Sequence, residues 1–129
     1  MYYKVIYNEK SDELKAKRCK DNKKVSKKEC ELHNVGDVYE LTVDTFSVED
    51  AVRLFWLKFW LNYHRYEETK EFENGLFKTK EYCDNNAIST EVKQVLAKLS
   101  GKTVNDSANS MIKEIIFGEV KIWNYLDYL

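Results

Sequence analysis

The chain has 129 residues, 43% hydrophobic and 33% charged, with a formal net charge of −1. That length supports one domain, residues 1–129, with a real hydrophobic core, and the composition fits a soluble globular protein rather than a disordered or fibrous one. The near-neutral total excludes a strong pull of the whole molecule toward nucleic acid.

Met1 is followed by Tyr-Tyr-Lys-Val-Ile-Tyr, which is too short for the apolar region of a secretory signal and lacks a basic start. The expectation is therefore an intracellular, cytoplasmic protein. The three cysteines, Cys19, Cys30 and Cys83, are an odd number and are read as free thiols.

Tyr2–Tyr7 is β-branched and aromatic, and it is predicted as a strand with Tyr3, Val5 and Tyr7 on one face and Tyr2 and Ile6 on the other. Residues 10–28 then hold nine basic side chains against three acidic ones, a local charge of +6. The remainder from residue 29 carries −7, so the neutral total hides a basic arm on an acidic body. Asp21-Asn22 reads as a turn between two hairpin strands, Leu14–Cys19 and Val25–Leu32. A lysine-rich edge of this kind is normally solvated and discourages sheet-to-sheet association. Its functional alternative is contact with a phosphate backbone through Lys15, Lys17, Arg18, Lys20, Lys23, Lys24, Lys27 and Lys28. Only one of the nine is arginine and no aromatic ring interleaves them, which argues against specific base or phosphate recognition.

Asn34–Asp37 is a turn. Val38–Phe46 alternates, with Tyr39, Leu41, Val43 and Thr45 on one face, and is the clearest predicted strand. It runs into Ser47–Tyr63, the most apolar stretch of the chain. Ser47 is placed to cap a helix, with Glu49 and Asp50 at the positive end of its dipole. Between Ala51 and Leu61 only Arg53 and Lys58 interrupt the apolar run. A helix apolar nearly all round is buried on most sides or lies against a partner. It is too short and too charged to span a membrane. Trp56 and Trp60, one turn apart, are core residues on the first reading and partner anchors on the second.

Beyond Tyr63 the sequence is charged, and the helix is expected to reach about Lys70. Asn74-Gly75 is a turn signal, either a helix stop or a hairpin turn between Glu71–Glu73 and Leu76–Tyr82. Glu67, Glu68, Glu71 and Glu73 form an acidic patch. Asp84–Asn86 marks a loop. Ser89–Ser100 is a second helix with the stripe Val92, Val95, Leu96 and Leu99, stopped by Gly101. Thr103–Phe117 is a third, with Val104, Ala108, Met111, Ile112 and Ile115 in line and Gly118 as its stop. Glu119–Leu129 is a last strand through Val120 and Ile122 or a short terminal helix.

The helix–glycine–helix at 89–117 has the outline of a helix-turn-helix, but Thr103–Ser107 offers no base-reading residue and places Asp106 toward phosphates. Cys30 and His33 have the spacing of one metal-ligand pair, with no second short pair, so no metal is expected. His64 with Cys83 or Ser89 lacks any nucleophile signature, and no phosphate-binding, dinucleotide-binding or zinc-protease motif occurs. No cofactor is expected either.

These features predict an α+β fold: a small antiparallel sheet from the N-terminal half packed on the central apolar helix, with two or three further helices. By elimination the function expected is that of a non-catalytic binding protein, an inhibitor or adaptor with a protein partner and no membrane association. Glu67, Glu68, Glu71, Glu73, Trp56 and Trp60 are the expected partner contacts. The outline is similar to that of phage- and mobile-element-borne inhibitors of host defence nucleases, whose partner is a nucleic-acid-processing enzyme and whose acidic surface mimics DNA. The alternative is a nucleic-acid-binding protein using residues 10–28. The sequence leaves the oligomeric state open.

Overall fold

The computed structural model describes residues 1–63, 70–100, 106–120, 122–126 and 128, with the side chains of 63, 70–73, 100, 106–109 and 126 outside that description. Four strands come first: β1 (Tyr2–Asn8), β2 (Glu13–Arg18), β3 (His33–Val35) and β4 (Val38–Asp44). Helices α1 (Val48–Tyr63), α2 (Lys70–Asn85), α3 (Thr90–Ser100) and α4 (Asp106–Phe117) follow, and β5 (Asn124–Leu126) closes the order. The α+β class predicted from the sequence is the class observed. The sheet has the order β3-β4-β1-β2-β5. Neighbours are antiparallel except β5, which runs parallel to β2 with Ala16 opposite Tyr125.

The alternation of β1 and β4 decides which face is inner. Tyr3, Val5 and Tyr7 of β1, Leu14 and Ala16 of β2, and Tyr39, Leu41 and Val43 of β4 are all buried. Helix α1 lies on that face and also meets α3 and α4, while α2 packs on α3 and α4. Its nearly all-round apolar character follows from this position between two layers: Ala51, Val52, Leu54, Phe55 and Leu57 are fully buried. Ser47 caps it as predicted, its Oγ accepting from Asp50 N at 3.2 Å. Ser89 caps α3 in the same way, accepting from Val92 N at 3.5 Å, and Val92, Val95, Leu96 and Leu99 are buried.

Several expectations are corrected. Val25–Leu32 is not a strand paired with β2; β2 pairs with β1 and β5 instead. Four lysines in six residues, Lys23, Lys24, Lys27 and Lys28, repel one another in an extended segment. Ser26 and Glu29 meanwhile bond each other as a capping box: Glu29 Oε1 accepts from Ser26 N, and Ser26 Oγ accepts from Glu29 N, both at 3.3 Å. The result is a tight turn in which Cys30 N donates to Lys27 O at 3.2 Å. The spacing Ser-Lys-Lys-Glu was the readable signal for it.

Asn74-Gly75 neither stops a helix nor turns a hairpin; both residues lie inside α2. Glu71–Glu73 and Leu76–Tyr82 are therefore helical. Gly75 is buried where α2 passes α4, and a Cβ there would sit 3.1 Å from Lys113 Cε. The close approach of two helices, not a turn, uses this glycine. Asp84 and Asn85 still belong to α2.

The C-terminal strand is Asn124–Leu126 rather than Val120–Ile122. Val120 and Ile122 instead pack on the core from the connecting segment. Among the described side chains of α4 the deepest are Ile112 and Ile116, while Met111 is 38% exposed. The predicted start of this helix at Thr103, the glycine stop at Gly101 and the helix-turn-helix connection fall on 101–105, outside the described residues, as does any run of α1 beyond Tyr63.

Helix α2 ends in a left-handed residue, Ala87 at φ 52°. Ile88 N donates to Cys83 O at 3.0 Å, the long bond of a Schellman cap. A Cβ is penalised in that conformation, and glycine is not. Ala87→Gly is expected to raise the unfolding free energy by about 0.5–1 kcal/mol, read as a higher denaturant midpoint at unchanged slope.

Candidate functional site

Helix α1 carries its aromatic residues toward the end that faces Tyr7. Trp56 meets the Tyr7 ring edge-on at 4.8 Å and 68°, and Phe59 meets Trp56 at 5.7 Å and 84°. Trp56 is therefore neither a sealed core residue nor a free anchor: it is half-buried, with one side packed on Tyr7. Trp60, one turn later, is half-buried too. The chain leaves α4 at Gly118, and Glu119, Val120 and Trp123 come back beside these rings. The result is an open pocket of about 400 Å3 between α1, α4 and the side chains of Glu119, Val120 and Trp123. All three tryptophans of the chain line it.

Charge on the lining is unevenly placed. Arg53 donates from Nη1 to Asp50 Oδ1 at 3.4 Å, and both side chains are largely buried. Burial pushes the Asp50 carboxyl up, against the pull of Arg53. The Arg53 Nε is buried without an acceptor among the described residues. Glu114 and Glu119 also line the pocket, and both are exposed. No serine, cysteine or histidine is on the lining among the described residues.

The second candidate lies on the other face of the sheet. Pairing sets Lys17 beside Lys4 and Lys15 beside Ile6, all pointing away from α1. Residues 19–32 must then pass from β2 to β3, across β1 and β4. Thr42 N donates to Glu29 O at 2.8 Å, and Thr42 and Cys19 are buried although they belong to this outer face. The crossing segment covers them and leaves Lys20, Lys24, Lys27 and Lys28 exposed. Lys23 is held by Glu29 at 3.5 Å, and Lys4 by Glu40 at 3.6 Å. Arg18 does not join the group. Its register partner is Tyr3, on the inner face, and its guanidinium lies 3.2 Å from Asp21 and 5.3 Å from the Tyr128 ring centre.

The acidic patch is not described as a unit. Glu67 and Glu68 lie outside the described residues, and Glu71 and Glu73 are described only in their backbone, within α2. His64 is outside as well. His33 contacts Glu40 Oε2 at 3.3 Å and Glu31 O at 3.1 Å. Burial pushes the thiols of Cys19, Cys30 and Cys83 up, which lowers their thiolate content near neutral pH. No group of three His, Cys, Asp or Glu side chains among the described residues is arranged to hold a metal ion. No described helix is long and apolar enough to cross a membrane.

Trp56 and Trp60 were legible as candidates. Trp123, Glu114, Glu119 and Arg53 were not, because their meeting depends on how Glu119, Val120 and Trp123 return to α1. The one local signal was a tryptophan five residues after a helix-ending glycine.

Tyr7 gives the pocket wall a spectroscopic handle. Its hydroxyl donates to Asp12 Oδ1 at 2.8 Å. Burial, that hydrogen bond and the nearby carboxylates of Asp12 and Glu9 push it up to about 12. An unfolded chain releases the same proton at about pH 10. The folded state is thus favoured fully below pH 10 and loses that advantage as pH rises toward 12. In an ultraviolet titration, Tyr7→Phe is expected to remove the last phenolate phase and flatten this alkaline loss of stability.

No family model matches the chain, no curated protein matches it, and no solved structure matches it. The case for function rests on the geometry itself.

Proposed function

We propose that this chain is a non-catalytic binding protein, an inhibitor or adaptor, that grips a partner protein at the aromatic pocket between α1, α4 and the side chains of Glu119, Val120 and Trp123. The observation that carries the reading is the convergence of Trp56, Trp60 and Trp123 on one open pocket. Tryptophan, tyrosine and arginine dominate the energetics of protein interfaces, and such anchors act once a partner closes over them and completes their desolvation. A nucleic-acid-processing enzyme is the partner class that fits, in the manner of a phage- or mobile-element-borne inhibitor of a defence nuclease. The test is affinity capture from lysate of the source cell or its natural host, with and without nuclease treatment. A discrete protein that survives nuclease and is lost with Trp60→Ala supports the reading. Capture indifferent to Trp60→Ala and Trp123→Ala overturns the pocket as its site.

A second reading, nucleic-acid binding, is favoured by a separate observation. Lys15 and Lys17 lie on the outer face of the sheet, the segment after β2 exposes Lys20, Lys24, Lys27 and Lys28, and none of the six has a carboxylate partner among the described residues. Binding of this kind weakens steeply with salt, and each lost phosphate contact lowers the slope of log K against log salt by about 0.9. Replacing Lys20, Lys24, Lys27 and Lys28 by glutamine is expected to flatten that slope. Unchanged affinity and slope would remove the second reading.

A further inference from the structure

We infer that the aromatic pocket takes a cationic side chain, an arginine or lysine presented by a basic segment of the partner. The inference rests on the proposal that the pocket is the partner site, but its chemistry is argued independently. Cations are attracted to the electron-rich faces of aromatic rings, most strongly to tryptophan. Three tryptophans, Phe59 and Tyr7 line this pocket. Its two carboxylates, Glu114 and Glu119, are exposed and have no ion-pair partner among the described residues. The cation on the lining, Arg53, is committed to the Asp50 carboxylate at 3.4 Å. The other charged side chains on the lining, among the described residues, are the two glutamates. A volume of about 400 Å3 accepts a long side chain together with some of its backbone. Aromatic walls, carboxylates without an ion-pair partner among the described residues and an arginine committed to Asp50 select a cation over an apolar or acidic group. The same choice suits a partner whose own nucleic-acid site is basic.

The test uses the intrinsic fluorescence of the full chain, in which every tryptophan lines the pocket. Four blocked glycine-flanked pentapeptides are titrated, identical except for a central arginine, citrulline, leucine or glutamate. The expected result is a saturable change with the arginine peptide at an affinity at least roughly tenfold above the citrulline peptide. Glu114→Gln/Glu119→Gln should abolish that preference while leaving the circular dichroism and Tm unchanged, since both side chains are exposed. Equal binding of citrulline or leucine, preference for glutamate, or no saturation with arginine at millimolar concentration would overturn it. The partner capture fails separately: a partner lost with Trp60→Ala but no arginine preference leaves the pocket as the site and removes only its cation chemistry.

Discussion

Phe55→Ala will lower the unfolding free energy by about 3–5 kcal/mol, a large share of the whole stability of a domain of this size. Phe55 is fully buried in the middle of α1, where that helix passes between the sheet and α3 and α4. Its ring stands edge-on to Tyr7 at 6.2 Å and to Trp56 at 5.2 Å, and lies 6.1 Å from Phe59. Truncation removes the apolar area of the ring and leaves a cavity that two layers cannot both collapse into. Phe77 supplies the comparison, since it is the same residue type in a helix but 74% exposed. Phe77→Ala is expected to change stability by less than about 0.5 kcal/mol. Chemical denaturation of the two variants decides the matter. Similar midpoints would mean that α1 is not the element on which the layers close.

Gly118→Ala is the second large effect, expected at about 2–3 kcal/mol. A Cβ at this position would overlap the carbonyl oxygen of Glu114. Gly118 N donates to that same oxygen at 2.7 Å. No rotamer change relieves an overlap between a Cβ and a backbone atom, so the chain after α4 must shift. That chain carries Glu119, Val120 and Trp123 to the pocket and Asn124–Leu126 to the edge of β2. The variant should therefore lose amide protection in β5 and change the tryptophan spectrum before global unfolding. Native-state hydrogen exchange reads the first change and fluorescence the second. A variant with the original midpoint and intact β5 protection would show that the segment docks without this glycine.

The two predictions divide the molecule into what short windows of sequence encode and what they do not. The strand alternation of Tyr3, Val5 and Tyr7 and of Tyr39, Leu41 and Val43 reads correctly because a period of two shows within six residues. The Ser47 cap reads correctly because a hydroxyl reaches only the next helical turn. The capping box of Ser26 and Glu29 was equally local, and it was obscured only by the surrounding lysines. Gly75 was misread for the opposite reason. Asn-Gly is a turn signal by local propensity, but in α2 the approach of Lys113 from α4 outweighs it.

Local sequence patterns encode an α+β chain whose most apolar helix is central, whose densest run of lysines lies in residues 10–28 and whose thiols carry no nucleophile signature. Tertiary structure alone decided that β5 runs parallel to β2, that the lysine-rich segment crosses the outer face of the sheet, and that Trp123 meets Trp56 and Trp60. Each of those outcomes joins residues far apart in the chain, such as Lys15 and Asn124. Their free energy comes from surfaces buried between distant elements, and no window a few residues wide contains both surfaces.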